Sequence, residues 1–585
     1  MKDDGIAKSD RRAVAVRLAK YFMRYKFSVL FAFFLMLGSN LFALLGPLLT
    51  GKAINAIDLE EGVDFAAVTQ YCILMAVFYV VSSVLSYILS VVMIKLSQKI
   101  VKSMRKDLFD KILSLPVGYL DKMQAGDLIN RISYDIDTVN ASLSNDILQA
   151  ATGVVTVIGA LIGMLAISPA LFGVFAITIP LSIFITVQRS RQVRPLFRKR
   201  SGKLAQLNGF SEEMISGIKT IKAYGREDKI IGRFAQRNKD AVDAYYAADY
   251  YGSLIGPSVN FVNNLGTVLI STAGSLMYLY GMIMLGDISS FLLYARKFSG
   301  PINEYANIMS EIQSALAAAE RVFRLLDELP EGATDNAETS LEDPVGDVAF
   351  EHVRFGYDPE KVIIKDLSFE AKAGQTVAIV GPTGAGKTTL VNLLMRFYDP
   401  QDGRITLDGR DTREYTRDSL RAAFSMVLQD TWLFEGTVRE NIAYGKVGAT
   451  DEEIRKAAAD ANIADFVDAL PQGYDTRVTD GGVNLSKGQK QLMTIARAML
   501  SPAHLLILDE ATSNVDTRTE LMIRDAMNRL MKGKTCFVIA HRLSTIRNAD
   551  LILVVKDGDI VERGRHEELL AKGGFYSEIY NAQFE

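Results

Sequence analysis

A glycine-rich segment in the second half of the chain has the residue types that bind phosphate. In order, it consists of Gly381, Pro382, Thr383, Gly384, Ala385, Gly386, Lys387, Thr388 and Thr389. The apolar run 376–380 before it predicts a buried strand, and a helix is expected from Thr389 onward, which is the context that a phosphate loop requires. Glycines let backbone N–H groups converge on phosphate oxygens, Lys387 can neutralise the β- and γ-phosphates, and the Thr388 hydroxyl can ligate Mg²⁺. These residues predict a nucleotide site.

Two further apolar runs end in residues that could complete this site. The run 505–508 is followed by Asp509 and Glu510, at the carboxyl end of a predicted parallel strand, where α/β sheets bind ligands. We expect Asp509 to hold the hydration shell of the metal ion and Glu510 to polarise the attacking water as a general base. The run 535–540 ends at His541, which we interpret as a sensor of the γ-phosphate. A structural role is the alternative for this histidine.

The composition indicates that only part of the chain is embedded in a membrane. Its 585 residues are 49% hydrophobic and 23% charged, and the mean hydropathy of +0.14 lies between soluble and wholly membranous proteins. The net charge of −3 does not favour a nucleic-acid partner, which would call for a basic domain. Cys72 and Cys536 lie far apart, so we expect neither a disulfide framework nor a zinc site.

Apolar runs long enough to cross a bilayer are concentrated in the first half. We predict six spans, at about residues 27–49, 71–94, 147–167, 170–187, 255–280 and 288–309. Spans three and four are separated by Ser168 and Pro169, and spans five and six by Gly286 and Asp287. Basic residues flank the first span and follow spans two and four, so both termini are expected in the cytoplasm.

The two long cytoplasmic connections predict helices that project beyond the membrane. They hold about 50 and 65 residues, with breaks at 116–118 and 216–217 that predict short cross-helices at their tips. Residues 11–26 predict a helix that lies in the membrane interface. From these patterns we predict a transmembrane domain at 1–330, a linker at 331–346 and an α/β domain at 347–585.

Further motifs in the second half resemble one known family. They are Leu485-Ser486-Lys487-Gly488-Gln489, Asp480-Gly481-Gly482 upstream of it, Gln429, Ser513-Asn514-Val515-Asp516 and Tyr357. Together with the phosphate loop they resemble the nucleotide-binding domain of ATP-binding cassette (ABC) transporters. Six spans followed by one cassette look like a half-transporter of the exporter type. The implied fold is an α-helical transmembrane bundle with long cytoplasmic extensions, followed by an α/β P-loop cassette.

The resemblance implies a role for each matching position. Tyr357 would stack on the adenine of ATP, and Gln429 would contact Mg²⁺ and link the nucleotide state to the membrane part. The signature residues would contact ATP held by the other subunit, so the chain must dimerise. Implied nucleotide-binding residues of this second group are Ser486, Lys487, Gly488, Gln489 and Asp516. Trp432 and Phe434 could belong to a groove that grips a cytoplasmic cross-helix, or could be core aromatics.

Three departures from the family pattern bear on the kind of dimer. The family has glycine at the position of Lys487, alanine-leucine at Asn514-Val515 and glutamate at Asp480. Because Glu510 and His541 are intact, we hypothesise a heterodimer in which this chain supplies the catalytic acid of one site and an altered signature to a weaker one. A homodimer, in which Lys487 is a tolerated variation, is the alternative.

The function implied is ATP-driven export of a drug, lipid or peptide across a bacterial cytoplasmic (inner) membrane. The expected partners are a second half-transporter subunit, membrane lipid and a small amphiphilic substrate. Polar residues within the fifth and sixth spans either line the transport pathway or pair between helices; they are Asn260, Asn263, Asn264, Arg296, Lys297, Asn303 and Glu304. A nucleotide-gated or regulatory subunit, and an importer with an exporter-like fold, are the alternative functions.

Overall fold

The structure is a computed structural model that describes most of the chain. It covers residues 11–58, 62–333, 335, 337, 339–358, 360–429, 431–478, 485–509, 516–539 and 546–584. Contacts divide the chain into two compact units. The first contains residues up to 113 and 125–328, and the second contains 114–124 and 329–585. Each unit is described by itself.

Among the described residues, the first half of the chain is mainly helical, with one short pair of strands. Its strands are β1 (Ile57–Asp58) and β2 (Gly62–Val63), which pair antiparallel. Its helices, in chain order, are α1 (Arg11–Met23), α2 (Lys26–Asn55), α3 (Phe65–Leu113), α4 (Val117–Leu120), α5 (Ala125–Asn130), α6 (Ile136–Ala141), α7 (Ile147–Ile167), α8 (Pro169–Ala176), α9 (Thr178–Ser216), α10 (Ile218–Ala223), α11 (Glu227–Ser253), α12 (Ile255–Leu279) and α13 (Leu285–Asp327). Two π-helical turns, Arg131–Asp135 and Ser142–Asp146, join α5, α6 and α7 into one continuous helix.

Four helical stretches within the described residues are long and apolar enough to cross a membrane. They are Lys26–Asn55, Phe65–Leu113, Ala125–Ile167 and Pro169–Ser216. The fifth and sixth predicted spans fall on α12 and on the first part of α13, which do not meet the same measure of length and hydropathy. The number of six spans therefore stays a prediction. Large apolar side chains such as Phe27 and Phe34 face outward, as expected of helices solvated by lipid.

The predicted breaks in the first half are confirmed except for one. Ser168 caps α8 by accepting a hydrogen bond from the backbone N–H of Leu171. Short helices form at the two predicted breaks as α4 and α10, and the helix predicted at residues 11–26 forms as α1. Their places relative to a membrane stay predictions. The turn predicted at Gly286 and Asp287 is wrong, because α12 ends at Leu279 and α13 already begins at Leu285. The Asp287 carboxylate accepts from the backbone N–H of Met284, so it caps the start of α13 instead of forming the turn.

The described residues of the second unit form two main sheets and one short pair of strands. Its strands are β3 (Val348–Phe355), β4 (Ile364–Ala371), β5 (Thr376–Val380), β6 (Asp402–Leu407), β7 (Arg410–Asp411), β8 (Phe424–Val427), β9 (Gly436–Thr437), β10 (Arg477–Val478), β11 (Leu505–Asp509), β12 (Thr535–Ile539), β13 (Leu551–Lys556) and β14 (Asp559–Gly564). Its helices include α14 (Lys387–Leu394), α15 (Arg417–Ala422), α16 (Val438–Ala443), α17 (Asp451–Asp460), α18 (Ala464–Asp468), α19 (Lys487–Leu500), α20 (Thr517–Met531), and two near the end of the chain, His566–Lys572 and Phe575–Phe584. The short pair β9–β10 lies outside the two main sheets.

The larger sheet has the strand order β14-β13-β5-β12-β11-β8 and is parallel except for β14. The smaller sheet, β4-β3-β6-β7, is antiparallel. The central parallel strands are buried on both faces, so successive side chains enter two separate cores. Leu506 and Leu508 pack into one core, and Leu505 and Ile507 pack into the other. The three buried strands predicted from the apolar runs are confirmed as β5, β11 and β12.

Candidate nucleotide site

The phosphate loop joins the end of β5 to the start of α14, as predicted. Gly384 and Gly386 have φ angles of 83° and 105°, in the left-handed region that favours glycine. A Cβ at Gly381 would collide with the carbonyl oxygen of Val555. The glycines therefore let this backbone turn tightly onto the N-terminus of α14. Backbone N–H groups at a helix N-terminus form a site suited to phosphate oxygens.

Lys387 is folded against its own loop. Its Nζ donates to the carbonyl oxygens of Gly381 at 2.8 Å and Pro382 at 3.0 Å. Burial lowers the pKa of Lys387, and the nearby Asp509 carboxylate acts in the opposite direction. The ammonium group is thus held at the loop and is electrostatically coupled to Asp509. Thr388 is exposed on the first turn of α14, whereas Thr389 is buried, so Thr388 is the threonine of the pair that a metal ion can reach.

The strand order brings the remaining predicted residues to one edge of the sheet. β12 lies between β5 and β11, and β8 lies beyond β11. Asp509 ends β11 in register with Ile539 at the end of β12, and Gln429 follows the end of β8 by two residues. Because parallel strands present their carboxyl ends at the same edge, Asp509 and Gln429 share that edge with the phosphate loop. Glu510 and His541 lie outside the described residues, so their roles stay predictions.

The oxygen donors at this edge fit a Mg²⁺ ion. Three side chains offer hard oxygen ligands: the hydroxyl of Thr388 at the phosphate loop, the amide of Gln429 after β8, and the carboxylate of Asp509 at the end of β11. Mg²⁺ prefers oxygen ligands, and in phosphate-transfer sites it is bound by one or two carboxylates together with phosphates. The residue types are therefore those that a nucleotide–Mg²⁺ complex requires.

Tyr357 lies beside α14 within a cluster of aromatic rings. Its hydroxyl accepts a hydrogen bond from Asn392 Nδ2 at 2.8 Å. Its ring meets those of Phe355 and Tyr398 edge to face, at centroid distances of 5.1 and 4.9 Å. The side chain is 38% exposed. The Tyr357 ring is therefore held by its neighbours and its hydroxyl, and part of it stays exposed to solvent. Such a ring can stack on adenine, which is the role expected of Tyr357.

Ser486 of the signature segment caps the start of α19. The Ser486 hydroxyl accepts from the backbone N–H of Gln489 at 3.2 Å, and the Gln489 side chain accepts from the backbone N–H of Ser486 at 2.8 Å. This reciprocal capping box makes Gln489 part of the helix start. Ser486 and Lys487 are exposed and Gly488 is buried. The exposed N-terminus of α19 presents a positive dipole end to an approaching anion.

Asp516 holds the N-terminus of the next helix. Its carboxylate accepts from the backbone N–H of Thr519 at 3.0 Å, and this hydrogen bond lowers the pKa of Asp516. The carboxylate therefore acts as the N-cap of α20. Its predicted contact with nucleotide stays a prediction.

The aromatics after Gln429 have different surroundings. Trp432 is 73% exposed, which excludes a core role for it. Phe434 stacks on Tyr444 at 4.7 Å, and the Arg497 guanidinium lies over both rings. Arg497 also donates to the backbone oxygen of Trp432. These contacts fix an exposed aromatic surface on the cassette, and the groove that would grip a cross-helix stays a prediction.

Sequence reasoning missed several residues around the site. Asn392 and Tyr398 position Tyr357, and Arg396 binds the linker through Asp335. The available signal was weak: an aromatic pair, Phe397 and Tyr398, directly after a short helix and before Asp399-Pro400. That pattern does not indicate which residues Arg396 and Tyr398 contact, because those residues lie far away in the sequence.

The polar residues of the fifth and sixth predicted spans are partly brought together in the first unit. A cavity of about 340 Å³ between α9, α12 and α13 is lined by polar side chains that include Asn260, Asn263, Asn264 and Arg296. A second cavity of about 740 Å³ is lined mostly by apolar residues of α7, α9 and α13, and it includes Glu304. Lys297 lines neither cavity, and the side chain of Asn303 lies outside the described residues.

The fold and the site together define an ATP-driven membrane transporter, since one chain joins long apolar helices to a P-loop unit with a capped signature helix. The family model described as the ABC transporter transmembrane region matches residues 29–302, and the ABC transporter model matches residues 364–513. The chain belongs to the ABC transporter family. It is an exporter of that family, binds ATP and hydrolyses it.

Relatives span nearly the whole chain. A fatty acid ABC transporter ATP-binding/permease protein of Mycobacterium bovis is 46% identical over 545 residues, covering 93% of this chain and 85% of the relative. An ATP-dependent lipid A-core flippase of Desulfotalea psychrophila is 36% identical over 572 residues, covering 98% and 100%. A solved structure of a bacterial Atm1-family ABC exporter with ATP bound superposes with a TM-score of 0.79 at 31% identity, covering 96% and 98%. Exporters of this kind act as dimers of half-transporters.

Proposed function

We propose that this chain is one half of a dimeric exporter in a bacterial cytoplasmic membrane, and that it moves a lipid-like amphiphile with an anionic head group. Both termini lie in the cytoplasm. Residues 1–330 form the transmembrane domain, 331–346 the linker and 347–585 the cassette. The observation that carries the choice of substrate is the pair of cavities along α9 and α13.

The polar cavity supports an anionic head group. Arg296 offers a guanidinium whose fork geometry matches carboxylate and phosphate oxygens. The amides of Asn260, Asn263 and Asn264 add further donors on the facing helix α12. A charge in a segment of this hydropathy is costly unless it is solvated or paired. An anionic ligand would meet that requirement.

The apolar cavity supports a hydrocarbon tail. It follows the polar cavity on the next turns of α9 and α13, because Thr178 and Gly300 line the first while Ser182 and Pro301 line the second. Glu304 lies eight residues beyond Arg296, which is about 12 Å along a helix. Its carboxylate disfavours a second anionic group at that depth. A ligand with one charged end therefore fits better than one charged at both ends.

The names of two relatives agree with this substrate class. One is called a fatty acid transporter and the other a lipid A-core flippase, and both names denote amphiphiles with an acidic head group. This agreement supports the class of substrate. The particular amphiphile is a separate question, since one fold serves many ligands.

The cassette residues have the following proposed roles in hydrolysis. The phosphate loop and Lys387 hold the phosphates, and Tyr357 stacks on adenine. Mg²⁺, held by Thr388, Gln429 and Asp509, would neutralise charge on the phosphate oxygens. Glu510 takes the proton of the attacking water, and His541 orients the γ-phosphate. Closure of two cassettes is transmitted to the membrane helices, and hydrolysis resets them.

We also propose that the dimer is a heterodimer. Lys487 stands exposed on the first turn of α19, where a cation opposes the helix dipole but can attract a phosphate held by another subunit. Such a signature would bind ATP and turn it over poorly. The partner would then supply a regular signature to the site that contains Glu510.

The ATPase of the purified chain in lipid tests the catalytic proposal. It is measured alone and mixed with the product of a neighbouring transporter reading frame, with Glu510→Gln as the control. Activity that needs the mixture and disappears in Glu510→Gln supports the heterodimer. Full activity of the chain alone would make it a homodimer, and activity independent of Glu510 would contradict the assigned base. No activity in any mixture would favour a regulatory subunit.

Uptake into inside-out proteoliposomes tests the substrate class. We expect ATP-dependent accumulation of oleate and not of its neutral counterpart 1-oleoylglycerol. Arg296→Met should reduce oleate uptake at least tenfold, since a charge-assisted pair contributes about 1.5–3 kcal/mol. Arg296→Lys should retain more activity because it keeps the charge. Equal transport of the two lipids, or uptake unaffected by Arg296→Met, would refute an anionic head-group site at Arg296, and ATP-driven efflux would indicate an importer.

A further inference from the structure

Tyr398 joins the aromatic cluster of the nucleotide site to helix α4. Its hydroxyl donates to the Asp121 carboxylate at 2.6 Å. A Cβ added at Gly118 would come within 2.7 Å of the Tyr398 ring, so the glycine lets the backbone of α4 rest directly on that ring. Both contacts are made inside the second unit, which includes residues 114–124. Helix α4 is therefore held by a single aromatic side chain at its ring and at its hydroxyl.

The same ring contacts Tyr357, which is proposed to stack on adenine. The two rings meet edge to face at 4.9 Å, and Phe355 packs against both. The Tyr357 hydroxyl is held by Asn392 on α14. An edge-to-face pair of this kind has a preferred geometry. A base stacked on Tyr357 would restrict that ring, and the restriction would pass to Tyr398 by direct contact.

The residue after Tyr398 continues the connection to the linker. Asp399 binds Arg396 at 2.8 Å and Arg417 at 2.6 Å, and both arginines bind Asp335. Close by, the backbone N–H of Glu331 donates to the carbonyl oxygen of Ser114 at 2.7 Å. The chain just before α4 is thus hydrogen-bonded to the chain that follows α13, and Arg396 and Arg417 bind that following chain at Asp335.

We propose that Tyr398 is a positioning residue that transmits occupation of the adenine site at Tyr357 to helix α4. The role rests on the proposed function, in which Tyr357 stacks on the base of ATP. In this proposal the adenine base acts on α4 through Tyr357 and Tyr398, whereas the phosphates of ATP bind to the phosphate loop. Base binding then orders α4 through one hydroxyl–carboxylate hydrogen bond.

Hydrogen–deuterium exchange of the full chain in lipid nanodiscs tests this role without a known substrate. Peptides over residues 114–124 and over the phosphate loop are followed with and without ATP and vanadate. The α4 amides of Tyr119, Leu120 and Asp121 donate to Pro116 and Val117 carbonyls, so their protection reports the order of this helix. We expect nucleotide to protect both peptides in the unmodified protein.

Two substitutions remove the proposed connection. In Tyr398→Phe and in Asp121→Ala, which leaves no acceptor for the Tyr398 hydroxyl, nucleotide should still protect the phosphate loop, while the 114–124 peptide should exchange at least fivefold faster than in the unmodified nucleotide complex. The double variant should lose no more than either single variant, since both remove the same hydrogen bond. Tyr119→Phe removes the hydroxyl of a tyrosine that lies on α4 itself, and it should behave as the unmodified protein.

The outcomes distinguish this inference from the proposed function. Protection of residues 114–124 that survives Tyr398→Phe would overturn the role of Tyr398 alone. Equal loss in Tyr119→Phe, or loss of phosphate-loop protection in Tyr398→Phe, would show a general structural effect and would also overturn it. Absence of phosphate-loop protection in the unmodified protein would overturn the proposed ATP site, and this inference with it.

Discussion

Arg396 is expected to hold the linker to the cassette, and its replacement by methionine should cost several kcal/mol. Its side chain is 4% exposed and pairs with Asp335 at 3.0 Å and Asp399 at 2.8 Å. It also donates to the backbone oxygens of Thr412 and Tyr415. Methionine keeps most of the volume and removes every donor, so the loss reports the charge and its hydrogen bonds.

The loss of stability in Arg396→Met depends on which groups still bind the partners of Arg396 after the substitution. Removing one side of a buried ion pair costs about 3–5 kcal/mol, because a charge is left uncompensated. Here Arg417 still binds both carboxylates, which favours the lower end of that range. The two carbonyl oxygens that lose a donor add to the cost. At about 2–4 °C per kcal/mol for a unit of this size, we expect the unfolding temperature to fall by about 10 °C.

The assay uses the buried thiol of Cys536 as a reporter of cassette unfolding. In a Cys72→Ser background, a dye that becomes fluorescent on reaction with thiols is followed during heating of the full chain in nanodiscs. Arg404→Met is the matched control, since Arg404 pairs with Glu351 on the surface with both side chains about half exposed. Surface pairs contribute about 0–1 kcal/mol, so this control should shift the midpoint by no more than about 4 °C. Equal shifts for Arg396→Met and Arg404→Met would refute the reasoning.

Three further predictions concern the cassette. Ser486→Ala should destabilise it by about 1 kcal/mol through loss of the N-cap, as thermal unfolding can show. Ser486→Asp should keep the cap but weaken ATP binding at the site that this signature serves, because an added anion would repel phosphate; nucleotide-binding assays check this. The hydrogen bond from Arg417 lowers the pKa of the Asp335 carboxyl. The stabilisation from this carboxylate is therefore present at pH above its ordinary pKa near 4, and it is lost as the pH falls through the lowered pKa of the folded state. Asp335→Asn should therefore lower stability at pH 7 and flatten the decline in acid, in unfolding curves recorded from pH 7 to pH 3; an unchanged acid decline would contradict this. Burial raises the pKa of Cys536 to about 12, so N-ethylmaleimide should label it only after unfolding, as mass spectrometry can show, and rapid labelling of the native protein would contradict its burial.

Local patterns allowed the sequence to predict the elements of the nucleotide site. The phosphate loop was predicted because glycine spacing, an apolar run and a helix start lie within a few residues of one another, and the N-cap at Ser486 needs only the residue three positions later. The place of Asp509 at the ligand-binding edge followed from the general rule for parallel strands. These features depend on short-range chemistry or on a rule that holds for the whole fold class.

Contacts between distant segments could not be predicted in this way. The Tyr398–Asp121 pair spans 277 residues, and Asp335 binds Arg417 across 82 residues. Tyrosine–aspartate and arginine–aspartate pairs are common on protein surfaces, so the residue types alone do not show which two residues will meet. The turn before α13 was misplaced for a related reason: Gly286-Asp287 is typical of a turn, yet aspartate is equally typical of a helix start. Tertiary structure decides between such readings.

The grouping of residues 114–124 with the cassette has a consequence for the order in which the chain folds. This segment leaves the ribosome long before residues 329–585, which form the rest of its unit. At about 5–20 residues per second, the remaining chain takes about half a minute to a minute and a half to synthesise. For part of that interval Tyr398 has not yet been synthesised, so Gly118 lacks the ring that it packs against in the folded protein. A cassette expressed from residue 329 alone would lack this segment and would expose the aromatic surface that it covers, so it should be more prone to aggregate than the full chain.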